Sequence, residues 1–123
     1  MDQIRMFIHI FAASIWVGGQ IVMGSLVPTL REIGDGAPAK AAQAFNRVAW
    51  PAFVIAVVTG IWNLFVSDDI NHPAFEIKFL LVIISGVGAG VHIMAKGNKA
   101  MLAIGGAASS LGAAAAMLAA MYL

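Results

Sequence analysis

The sequence predicts an all-α integral membrane protein, a four-helix bundle, from three observations. Of its 123 residues, 61% are hydrophobic and only 11% charged, too few charges to coat a soluble domain. The charges are confined to the first five residues and three short stretches, which leaves uncharged blocks at 6–27, 48–67, 79–95 and 100–123. Crossing a hydrocarbon layer of roughly 30 Å takes about 20 residues as a helix, with about 17 the practical minimum, and every block reaches it. Spanning backbone must satisfy its own hydrogen bonds, and blocks this long exceed barrel strands, so each reads as a helix.

The four helices are expected at about 3–27, 40–67, 74–96 and 99–122, in a single domain. Pro28 is expected to close the first, and Gly34, Gly36 and Pro38 to break the loop after it. Asn71 and Pro73 mark the start of the third helix. Gly97-Asn98 reads as a tight turn, which makes the third and fourth helices antiparallel neighbours. The small-residue runs "SGVGAG" at 85–90 and "GGAASSLGAAAA" at 105–116 let backbones approach closely, the main attraction between helices in lipid. The same smooth faces would also suit a flat cofactor, a second copy of the chain or a larger membrane complex.

Lys and Arg set the orientation. The 28–47 and 96–99 segments hold Arg31, Lys40, Arg47, Lys96 and Lys99, against Arg5 and Lys78 elsewhere, so both termini are expected outside a plasma membrane. The first block has full membrane length and is expected to stay in the mature protein rather than act as a signal peptide. A net charge of +1 without a basic run gives no footing for nucleic acid. The chain has no cysteine, so its soft metal ligands can only be methionines.

"FIHIFAASIWVGG" at 7–19 places an ionisable residue, His9, inside an apolar run. Such a residue marks a functional site by default, although an imidazole with one hydrogen bond can also simply pin two helices. Met6, His9, Trp16 and Gln20 fall on one helical stripe. Counting along each block from its centre puts His9 level with Met6, Trp62, Asn63, Lys78, Met117 and Met121. His92 falls in another layer, nearer Gln20, Met23, Trp50 and Met94. Imidazole with thioether sulfur is a soft set that suits copper(I), with His9, Met6, Met117 and Met121 as its members, although methionine also fills gaps in apolar cores. Haem b would equally accept His9 as axial ligand, with Met or Lys78 opposite, and Trp16 and His92 as further cofactor contacts. In "DDINHPAFE", His72 reads as a surface-loop residue that, with Asp68 and Asp69, would make a weaker cation site. No nucleophile elbow, phosphate loop, paired intramembrane carboxylates or His-Glu-x-x-His supports another enzyme class.

"HIFAASIWVGG" at 9–19, "FNRVAWPAFVIAVVTGIWNLF" at 45–65 and "IKFLLVIISGVGAGVHIM" at 77–94 together resemble the membrane domain of the copper-resistance protein D family. Shared features are a His followed by Trp and Gly in the first helix, an aromatic-Asn-Arg lead into a helix ending in Thr-Gly, and a Lys opening a leucine-rich helix. The resemblance covers about three quarters of the chain and implies copper handling in a bacterial inner membrane. The pair His9 and Lys78 is also similar to that of the small haem-pathway membrane proteins of the protoporphyrinogen-oxidase type, which implies b-haem. In the third helix the separation of Lys78 from His92 departs from that second pattern by about a turn. Copper transfer or homeostasis is therefore the leading expectation, a haem-binding redox protein or haem-pathway enzyme the second, and a small structural subunit of a membrane complex the third.

Overall fold

The computed structural model describes residues 2–66, 71–95 and 98–122. They form four helices: α1 Asp2–Ile33, α2 Ala37–Val66, α3 His72–Met94 and α4 Lys99–Ala119, the last continued by a 3₁₀ turn, Ala120–Tyr122. No strand occurs among the described residues. All four helices are long and apolar enough to cross a membrane. Their outward side chains include Ile21, Val22, Leu80 and Leu111, the inverse of a soluble helix. The chain divides into two compact units, Met1–Ser67 and Asp68–Leu123, each a helical hairpin.

In the first hairpin Pro28 does not close α1, contrary to the expectation from sequence; the helix runs on to Ile33. Proline removes a single i to i−4 bond, a loss that membrane helices tolerate, and the following Leu30, Arg31 and Glu32 are good helix formers. Termination comes at Gly34, Asp35 and Gly36, all at positive φ (73°, 54° and 72°). The Gly34 N–H donates to the Leu30 carbonyl at 3.2 Å, an αL cap. Pro38 then lies in the first turn of α2, where its missing N–H costs nothing. The expected long inner loop therefore contracts to a three-residue turn, and Arg31, Lys40 and Arg47 all sit on helices.

The register of α1 against α2 is fixed by small residues and rings. Ala12, Ala49 and Ala52 are buried, and Trp16, only 5% exposed, packs on Trp50 and Phe53 with ring centroids 5.1 and 4.5 Å away. Of the paired glycines Gly18 and Gly19, the second matters for packing. A Cβ on Gly19 would stand 2.6 Å from the Phe45 ring, whereas one on Gly18 would meet nothing within 4 Å.

The second hairpin is closed by backbone contact. A Cβ on Gly88 would lie 2.6 Å from the Ser109 nitrogen, and one on Gly105 2.6 Å from the His92 nitrogen. Gly112 abuts Leu81 and Ser85 in the same manner. Close approach lets the Ser85 hydroxyl donate across the interface to the Ser109 carbonyl at 2.7 Å. Asn71 caps α3 by accepting from the Ala74 N–H, and Asn98 caps α4 by accepting from the Met101 N–H. Gly97, the other half of the expected turn, lies outside the described residues, as do Asp68 and Asp69. His72 is the first residue of α3 rather than part of a loop.

Candidate functional site

His9 sits on α1 in the stripe that faces α2, half-buried. Its Nδ1 is 2.9 Å from the Ala56 carbonyl oxygen and 2.9 Å from Thr59 Oγ1. A carbonyl can only accept, so Nδ1 carries the proton and the ring is the Nε2-lone-pair tautomer. Thr59 is oriented for the same role. Its hydroxyl donates to the Ile55 carbonyl at 2.6 Å, which turns an oxygen lone pair toward His9. Gly60 makes room for the ring: a Cβ there would stand 3.2 Å from His9 Cε1. The Nδ1–Cε1 edge is thus held against α2, and a metal would be met by Nε2. A backbone carbonyl and a hydroxyl behind the proximal nitrogen are the usual outer-shell support of a metal-ligating histidine.

One turn before His9 on the same stripe, the Arg5 Nε donates to Asn63 Oδ1. Its Nη1 donates to Asp2 Oδ1 at 3.0 Å, and the guanidinium lies 5.6 Å from the centre of the Trp62 ring. These contacts correct the layer count made from sequence. Asn63 and Trp62 are level with Arg5, and the partners of His9 lie about a turn earlier in α2. The count placed the centre of the second helix within 48–67, but that helix starts at Ala37 and carries Lys40 and Arg47 inside it.

The proposed ligands divide between the two hairpins. Met6, on α1 one turn before His9, is exposed, as are Met117 and Met121 at the end of the second hairpin. Trp16 is enclosed by Trp50 and Phe53 two turns further along α1. Lys78 lies in the second turn of α3, half-buried. His92, near the C-terminus of α3, donates from Nδ1 to the Leu102 carbonyl at 2.8 Å. Among the described residues no three His, Cys, Asp or Glu side chains gather into a metal cluster.

Sequence reading took Thr59-Gly60 only as a shared motif and set Asn63 level with His9; it joined neither Thr59, Gly60 nor the Ala56 carbonyl to His9, nor Arg5 to Asn63. The available signal was the adjacent Thr-Gly in the apolar stretch 48–62 of α2, a hydroxyl and a gap side by side. No family model, curated protein or solved structure matches the chain.

Proposed function

We propose that the protein binds copper(I) in the membrane through Nε2 of His9, for transfer or homeostasis of the ion, as in the copper-resistance protein D family that the sequence resembles. The observation that carries this reading is the double anchoring of His9 Nδ1 by Ala56 and Thr59, with Gly60 beneath the ring. Two acceptors fix the tautomer of this ring and put its lone pair on Nε2, the arrangement a metal-ligating imidazole needs. Met6, on the same helix one turn away, is the thioether that would complete a soft pair, and such a pair favours copper(I) over zinc, magnesium or calcium. Four helices long and apolar enough to cross a membrane support a setting for this chemistry in the bilayer.

His9→Asn tests the reading. Asparagine keeps an N–H near the position of Nδ1 and removes Nε2. The variant should retain helicity and lose copper when the purified protein competes with a copper(I) chelator. Undiminished copper content in that variant would overturn the assignment.

A second reading, b-haem with His9 as axial ligand, is favoured by one observation. The Arg5 guanidinium, paired with the exposed Asp2 at 3.0 Å, lies one turn from the imidazole, where a propionate would replace that carboxylate. The visible spectrum of the protein as purified separates the two: a Soret band that disappears in His9→Asn supports haem, and copper without such a band supports the ion.

A further inference from the structure

The two hairpins repeat one local device that the sequence shows no trace of. In the first, the His9 Nδ1–H donates to the Ala56 carbonyl, and Gly60, four residues on, lies against the Nδ1–Cε1 edge of the ring. In the second, the His92 Nδ1–H donates to the Leu102 carbonyl at 2.8 Å, and Gly106, again four residues on, lies against the same edge. A Cβ on Gly106 would stand 3.2 Å from His92 Nδ1 and 3.5 Å from its Cε1. Four residues are one helical turn, so each histidine is seated between a carbonyl and a glycine on one face of its partner helix. Both rings are the Nε2-lone-pair tautomer, and both turn that nitrogen's edge away from the glycine.

His92 is exposed, and among the described residues its Nε2 has no hydrogen-bond partner. The register fixed by Gly88 against Ser109 and Gly105 against His92 sets Met101, exposed and on α4, at the same end of the hairpin as His92. The helix-pinning role of His92 is already discharged by Nδ1. Gly105 and Gly106 are then used differently: the first admits the α3 backbone, the second only the imidazole edge.

We infer that His92 is a second, independent copper(I) ligand, presented by α3 and α4 as His9 is presented by α1 and α2, with Met101 as a soft donor of its own hairpin. The choice of ion rests on the reading of His9; the donor atom and its presentation do not. Imidazole and thioether at the second hairpin have the same preference for a soft monovalent ion.

The full-length protein in detergent, kept reduced and titrated with copper(I) against a bidentate copper(I) chelator, tests this by stoichiometry. The intact chain should take up about two ions, His92→Asn about one, His9→Asn about one, and the double variant none. Retention of the full copper content by His92→Asn would overturn the second site and leave the first standing. If His9→Asn keeps its copper while His92→Asn loses an ion, the proposed function falls and the second site stands. Because a substitution at a packed ring can unfold a hairpin, the same question is put to the unmodified chain. Long-range ¹H–¹⁵N spectra of its histidines should show the His92 Nε2 resonance moving on addition of silver(I), a stable mimic of copper(I). An unmoved Nε2 resonance would overturn the proposal whatever the variants do.

Discussion

An imidazole has two nitrogens, and its surroundings decide which one holds the proton. His9 shows how little of that decision is local: its two acceptors, Ala56 and Thr59, are 47 and 50 residues away in the chain. An ionisable residue in an apolar run was legible as a candidate site, because burying it is costly. The tautomer was not legible, since it depends on which turn of α2 lies opposite. Thr59→Val tests the arrangement. Valine keeps the shape of threonine and removes the oxygen that accepts from Nδ1–H. The Ala56 carbonyl remains, so copper affinity should fall by about 10-fold, at the lower end of the range for outer-shell changes. Thr59→Ser, which keeps the hydroxyl, should restore affinity in the same chelator competition. Equal affinity in all three proteins would mean that Thr59 serves α2 alone.

At the level of elements, the spans were legible because hydrocarbon demands long uncharged blocks, and the start of α3 because Asn71 and Pro73 punctuate it, whereas Asn98, expected only as part of a tight turn, proves to cap α4. The end of α1 was misjudged, since proline is a strong punctuator in water and a weak one in a membrane helix. Three successive residues at positive φ, Gly34 to Gly36, were the stronger signal. The small-residue runs correctly announced close packing of α3 on α4, but not which glycine meets backbone and which meets a ring. That distinction is testable. Gly105→Ala places a Cβ 2.6 Å from the His92 nitrogen, so the hairpin must part, at a cost of about 1–3 kcal/mol. Gly18→Ala and Gly24→Ala meet nothing within 4 Å and gain helix propensity, so they should be neutral or stabilising by up to about 1 kcal/mol. Thermal unfolding in detergent should rank Gly105→Ala lowest. Equal midpoints for the three would contradict the backbone contact at Gly105.

For the whole molecule, helix lengths and basic residues together set how the chain crosses the bilayer. At 1.5 Å per residue, α3 and α4 are about 35 and about 32 Å long, close to the thickness of the hydrocarbon. The helices of the first hairpin are about 48 and about 45 Å long, so without tilt some 15 Å stands outside it. The excess belongs at the Gly34–Gly36 turn, because Arg31, Glu32, Asp35, Lys40 and Arg47 are all on that side and none could rest in lipid. Basic residues are retained in the cytoplasm, so this end of the hairpin should face inward and Tyr122 outward. The absence of cysteine makes single-cysteine labelling a clean measurement. With a membrane-impermeant maleimide, Tyr122→Cys should react in intact cells, while Glu32→Cys and Gln43→Cys should react only after the membrane is opened. Val58→Cys, in the apolar middle of the α2 span, should react in neither condition. Labelling of Glu32→Cys and Gln43→Cys in intact cells would reverse the orientation. Protection of Gln43→Cys even in opened membranes would show that the start of α2 lies in lipid after all, and the two hairpins would then need no difference in how far they reach beyond the bilayer.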